Sequence, residues 1–136
     1  MIGIVVVTHG RLAEELVNAA RAIVGDIPRI GAVSMGWSDD ASVAREAIVR
    51  ALQAAGGGEA GGGDVLILTD MFGGTPTNLS LPFLSPSVEI VTGVNLPMLI
   101  KLTQAREGSL REIARMVRDE GQEAIYVASD LLEKKA

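Results

Sequence analysis

The chain has no cysteine and a single histidine, His9, and aromatic residues make up only 3% of its 136 positions. Without cysteine, disulfides and thiolate metal sites are excluded. One histidine excludes a multi-histidine metal cluster within one chain. With so few aromatics, Ala, Val, Leu and Ile must fill the core. Positive charge is also short: 12 Lys and Arg face 17 Asp and Glu, a net charge of −5. That balance argues against nucleic acid or an anionic membrane as the main partner. No segment approaches the roughly 20 apolar residues that span a bilayer. The N-terminus runs straight into a strand pattern, with no basic leader before it. The expectation is a cytoplasmic protein without direct membrane insertion, needing no metal and no organic cofactor.

What is present is enough for one domain with one core. The hydrophobic fraction is 48%. Ile2 to Val7 is a β-branched run apolar on both faces, as in a central strand of a covered parallel sheet. Thr8-His9-Gly10 breaks it. A helix follows with Leu12, Leu16, Ala19 or Ala20 and Ile23 on one face, ended by Gly25 and Pro28. Ile30 to Met35 reads as a second strand. After the loop Gly36-Trp37-Ser38, Asp39 is placed to cap a helix burying Val43, Ala47, Ile48, Ala51 and Leu52. Trp37 reads as packing or a partner contact. The run from Gly56 to Gly63 is too glycine-rich for regular structure and reads as a mobile loop inside a single domain spanning 1–136. It is no Walker-type phosphate loop, since no Gly-Lys-Ser/Thr follows.

The stretch that organises the chain is Thr69-Asp70-Met71-Phe72-Gly73-Gly74-Thr75-Pro76-Thr77-Asn78. It follows the apolar strand pattern Val65 to Leu68. It ends in Thr75-Pro76, read as a helix N-cap followed by proline at the first helical position. Val88 to Thr92 is a fourth strand, and Gly93-Val94-Asn95 lies at its carboxyl end. Helices are expected from about Leu96 and from Ser109, where Ser109 and Glu112 form a capping-box pattern. The second of these buries Leu110, Ile113, Ala114 and Val117. Ala124 to Ala128 reads as a last short strand before the solvated tail Glu133-Lys134-Lys135. Strands alternating with helices imply βαβ units and a mainly parallel sheet. In such sheets ligands sit beyond the carboxyl ends of the strands. His9, Gly36-Trp37, Asp70 to Thr75 and Gly93 to Asn95 are expected to gather there.

A histidine beside a carboxylate serves as a base, a nucleophile or a metal ligand. As a phosphoryl nucleophile it needs a neutral ring with one nitrogen exposed. Asp70 is the candidate to accept the other N–H and so fix the tautomer. Gly73 and Gly74 amides, the Thr75 hydroxyl and the helix start are candidate phosphate donors. The same residues also have plain structural readings: a loop histidine, a turn-closing aspartate, a tight glycine turn. Arg11 reads as a surface charge beside His9, and Met35, Met71 and Met98 as gap-fillers.

Three motifs in order then resemble one family. Gly3-Ile4-Val5-Val6-Val7-Thr8-His9-Gly10, followed by Leu12-Ala13, resembles the opening of the enzyme IIA domain of the mannose-type phosphotransferase system. Asp70 to Asn78 resembles its second signature, and Val91 to Met98 its third. The resemblance implies a phosphotransferase that carries phosphate on His9, received from the phosphocarrier protein HPr and passed to a IIB component for sugar uptake. It implies that Asp70 orients His9 and that Thr75 contacts phosphate. It implies an α/β three-layer sandwich, mainly parallel with one antiparallel edge strand, here Ala124 to Ala128, and a possible homodimer. Rival readings are a stand-alone regulatory phosphohistidine module, the phosphoryl-donor subunit of the dihydroxyacetone kinase system, and a module that binds a small anion without covalent chemistry.

Overall fold

The computed structural model describes residues 1–36, 40–57 and 63–135. Its elements are β1 (Gly3–His9), α1 (Leu12–Val24), β2 (Ile30–Met35), α2 (Ala41–Ala54), β3 (Val65–Thr69) and α3 (Thr75–Ser80). A 3-10 turn (Leu81–Phe83), β4 (Val88–Thr92), α4 (Leu96–Gln104), α5 (Leu110–Glu123) and α6 (Ala128–Lys135) complete the chain. The strands form one sheet in the order β2-β1-β3-β4. Every pairing in it is parallel, with Val7 opposite both Val33 and Thr69.

Side chains alternate across a strand, so β1 and β3 each feed two cores. Ile4, Val6, Leu66 and Leu68 point into the layer made by α1, α4 and α5, where Val17, Leu99, Leu102 and Val117 meet them. Val5, Val7, Val65 and Ile67 point into the other layer, against Ile48 and Leu52 of α2. Each such side chain, fully buried, contributes about 1.5–3 kcal/mol. This is the three-layer arrangement that continuous apolar strands require.

The expected antiparallel edge strand is absent: among the described residues the sheet is wholly parallel. Ala124 instead closes α5, donating to the Glu120 carbonyl, and α6 begins at Ala128. Ile125, Tyr126 and Val127 lie between the two helices with their side chains exposed. Three residues between helix ends offer too few backbone groups for a ladder. The following Leu131-Leu132-Glu133 is good helix sequence. Among the described residues one antiparallel bridge, Ser85 to Val88, belongs to the turn that leads into β4.

Helix faces and caps also depart in places from the sequence pattern. On α1 the buried stripe is Ala13, Val17 and Ala20, while Leu12 and Ile23 are exposed. The Thr8 hydroxyl, accepting from the Ala13 amide at 2.7 Å, fixes where the helix starts. On α2, Ala44 is buried and Val43 is not. Its cap is Asp40, which accepts from the Ser42 amide. Ser109 stands at the α5 cap position without a side-chain cap bond, so the capping box is not formed. Trp37, Asp39 and most of the glycine run lie outside the described residues.

At the amino-terminal end of the sheet sits a buried arginine, Arg106, only 6% exposed. Its guanidinium donates to the carbonyls of Ile2 (3.0 and 2.6 Å), Pro28 (2.6 Å) and Arg29 (3.2 Å). It ties the entries of β1 and β2 to the end of α4. Replacing Arg106 with Met removes these donors and leaves the buried Ile2 carbonyl without its two guanidinium bonds. Urea denaturation should register a loss of about 2–4 kcal/mol.

Candidate active site

Parallel pairing of β1 with β3 sets the ends of both strands side by side. His9 is the last residue of β1, and Asp70 is the first residue after β3. The Asp70 carboxylate reaches back across the gap. Its Oδ2 accepts from the His9 backbone amide at 3.0 Å and lies 2.7 Å from His9 Nδ1. Its Oδ1 accepts from the Met71 amide at 3.1 Å. Asp70 is 13% exposed, whereas the His9 side chain is 45% exposed.

Burial pushes the Asp70 pKa up, but the hydrogen bonds and charge of His9 outweigh it, and the carboxyl lies below its ordinary value. Asp70 is therefore ionised at neutral pH and has no proton to give. It follows that Nδ1 carries the proton of the neutral ring and donates it to Oδ2. Nε2 is then left with a free lone pair. Among the described residues no hydrogen bond occupies Nε2.

Gly74 closes the other side of the ring. A Cβ there would lie 2.7 Å from His9 Cε1 and 3.2 Å from Nε2, so only glycine lets the backbone approach this closely. Gly73, at φ +86°, makes the turn that brings it in. Gly74, and not Thr75, is the N-cap of α3; Thr75 and Pro76 occupy the first helical positions. The shift of one residue follows from the Asn78 amide donating to the Gly74 carbonyl. Thr75 is exposed.

The remaining expected residues divide. Gly93 and Val94 donate their amides to the Thr69 carbonyl, and Asn95 caps α4 while donating to the Gly121 carbonyl. Gly93 and Val94 brace the end of β3, Asn95 ties α4 to α5, and none of the three bonds His9 or Asp70. Arg11 is exposed and faces Glu14 at 3.6 Å, as a surface charge. Met71 and Phe72 are exposed, Phe72 at 75%, so Met71 fills no gap. Sequence reading passed over Thr77, which is fully buried and bonded to the loop beneath His9. Its place inside the glycine motif was the available signal. Among the described residues no group of three or more acidic or histidine side chains is placed to hold a metal ion.

An exposed histidine, held by a half-buried carboxylate at the carboxyl end of a parallel α/β sheet and facing a glycine turn, defines a site suited to nucleophilic group transfer. Residues 3–120 match the family model described as PTS system fructose IIA component, and the chain belongs to that family. It is 35% identical over 74 residues to the fructose-specific EIIA component of Bacillus subtilis, a match covering 52% of this chain and 51% of that one. It is 29% identical over 131 residues to the mannose-specific EIIAB component of Escherichia coli, covering 91% of this chain and 38% of that protein. The chain thus matches about half or less of these two relatives. Among solved structures, the mannose/sorbose-specific IIA subunit from Enterococcus faecalis superposes with a TM-score of 0.82 at 30% identity, covering 93% of each chain. EIIA from Streptococcus agalactiae superposes equally well, at 0.82 and 23% identity over 96% of this chain and 99% of that one, which establishes likeness of fold. No helix among the described residues is long and apolar enough to cross a membrane.

The depressed Asp70 pKa has a consequence for stability. A carboxyl whose folded pKa lies below its unfolded value stabilises the fold fully above the unfolded value, which is near 3.8. That contribution is lost as pH falls through the folded pKa. Asp70→Asn should therefore be less stable than the parent at neutral pH. The gap should shrink progressively once pH drops below about 4, as followed by urea denaturation across pH.

Proposed function

We propose that this protein is a cytoplasmic phosphocarrier of a sugar phosphotransferase system, with residues 1–136 forming one domain. The observation that carries the reading is the 2.7 Å contact of His9 Nδ1 with Asp70, which leaves Nε2 without a hydrogen bond on a half-exposed ring. In the forward step the Nε2 lone pair attacks the phosphorus of phospho-HPr. An Nε2–P bond forms as the donor's N–P bond breaks, and the donor imidazole leaves with the electron pair. The Nδ1 proton stays on His9. Its bond to Asp70 strengthens as the ring gains positive charge. In the second step the acceptor side chain of a IIB component attacks the same phosphorus, and the pair returns to Nε2.

Gly73, Gly74 and Thr75 are the proposed phosphate contacts. Thr75 is exposed at the start of α3, and Gly74 lies against the edge of the ring that bears Nε2. A relay between two carriers must hold the phosphoryl group without trapping it. Backbone amides and a hydroxyl, offering partial charges, suit that better than paired arginines would.

We also propose that two copies associate. The support is an unpaired outer edge on β4 together with exposed apolar side chains at Ile125 (74%), Tyr126, Val127 and Leu132. An open sheet edge together with exposed apolar side chains is characteristic of an interface.

Incubation with enzyme I, HPr and phosphoenolpyruvate should add one acid-labile phosphoryl group, seen by intact mass. His9→Ala should add none, and nitrogen NMR should place the group on Nε2. A folded parent chain that gains no phosphate from a competent donor of the same organism would overturn the reading. For association, light scattering should give twice the chain mass, with Ile125→Asp moving the population to single chains.

A further inference from the structure

We propose that Thr77 is a positioning residue for phosphoryl transfer, acting through the Met71 carbonyl to hold Asp70 against His9. The proposal rests on the phosphocarrier reading for its kinetic arm only. Thr69 and Thr77 are both fully buried, and their hydroxyls lie 2.8 Å apart. Thr77 Oγ1 donates to the Met71 carbonyl at 2.6 Å. A hydroxyl has one proton, so Thr69 must be the donor in the threonine pair. Thr69 is itself anchored, since its carbonyl accepts the Gly93 and Val94 amides, both at 2.9 Å. A directed chain results. Thr69 donates to Thr77, Thr77 donates to the Met71 carbonyl, the Met71 amide donates to Asp70 Oδ1, and Asp70 Oδ2 takes the His9 amide and ring.

Packing alone does not account for this arrangement. Burying a hydroxyl costs free energy unless it is bonded, and a valine of the same shape would fill the space without that cost. The loop from Met71 to Gly73 presents exposed side chains and leaves the protein surface. Among the described residues, no other hydrogen bond links its backbone to the interior. The Met71 backbone is thus gripped on either side of its Cα, at its amide by Asp70 and at its carbonyl by Thr77. Releasing the carbonyl frees Met71 to turn, and with it the amide that fixes the Asp70 rotamer.

The test compares the full-length parent with Thr77→Val, Thr77→Ser and Thr69→Val. Nitrogen NMR of the His9 ring reads the tautomer, and phosphoryl uptake from phospho-HPr reads the rate. In the parent the neutral ring should carry its proton on Nδ1. Thr77→Val should lose much of that preference and slow uptake by about tenfold, the scale of a small misplacement of reacting groups. Thr77→Ser, which keeps the hydroxyl, should restore both to within about twofold, and Thr69→Val should leave the tautomer in place because Thr77 still donates to Met71. A folded Thr77→Val with the parent's tautomer and rate would overturn the proposal. A merely structural role would lower its melting temperature and leave both readouts unmoved. Should Thr77→Val fail to fold, Thr77→Cys keeps the size with a poorer donor and must shift the tautomer in the same direction, or the proposal falls. If the parent takes up no phosphate, the phosphocarrier reading fails, while the tautomer comparison still decides the role of Thr77.

Discussion

One carboxylate oxygen, Asp70 Oδ2, holds the site together, and it does so because β1 and β3 are parallel neighbours in a fixed register. Val7 faces Thr69 across that pairing, so the chain leaves β3 just where β1 is ending. The oxygen binds the backbone of His9 as well as its ring. The backbone bond acts as an extra rung of the ladder beyond the last strand residue. It prevents the two strand ends from splaying, and the ring bond is made by the same atom without a second acceptor. A slip of one residue in this register would turn the whole apolar set of a strand to the wrong layer. The cores on both faces of the sheet therefore enforce the geometry of the histidine.

The two partners need opposite environments, and the fold provides both within one contact. Asp70 is largely covered, which strengthens its interaction with Nδ1 by excluding water. Burial alone would favour its neutral form, and the bonds from His9 overcome that and keep it charged. His9 is open enough for a second protein to reach Nε2. On the proposed relay this asymmetry is the working principle. The phosphoryl group passes from one docked carrier to the next through the exposed ring, while the carboxylate that supports the ring stays within the protein and largely covered.

Much of this was legible in the chain because the strands are unusually plain. β2 and β4 fall where the apolar runs and turn residues place them, and β1 and β3 within one or two residues. Convergence of His9 with Asp70 followed from the rule that parallel strands present their carboxyl ends together. The antiparallel edge strand came from family likeness, and Ala124 to Ala128 did not bear it out. Short mixed segments carry little information of their own, and here two flanking helices claim the residues. The α1 face was misread where size misleads: Ala13 and Val17, left out of the expected face, are buried, while the larger Leu12 and Ile23 are exposed. Thr77 was marked only by its place inside the glycine motif. A threonine at a helix start reads the same whether its hydroxyl faces water or a buried carbonyl.

The glycine turn shows how the site accommodates conflicting demands. Gly74 must come within contact of the imidazole edge, so the loop cannot carry a side chain that would wedge it in place. Gly73 must adopt a left-handed backbone, and glycine is the residue that gives least resistance to leaving it. A loop built to approach the ring is therefore a loop with little intrinsic stiffness. Its neighbours Met71 and Phe72 face outward and cannot anchor it through burial. Stiffness has to come from elsewhere, and the buried hydroxyls of Thr69 and Thr77 are the groups placed to supply it. Their polar bonds are directional where apolar packing is not, which is what a carboxylate aimed at a single ring nitrogen requires.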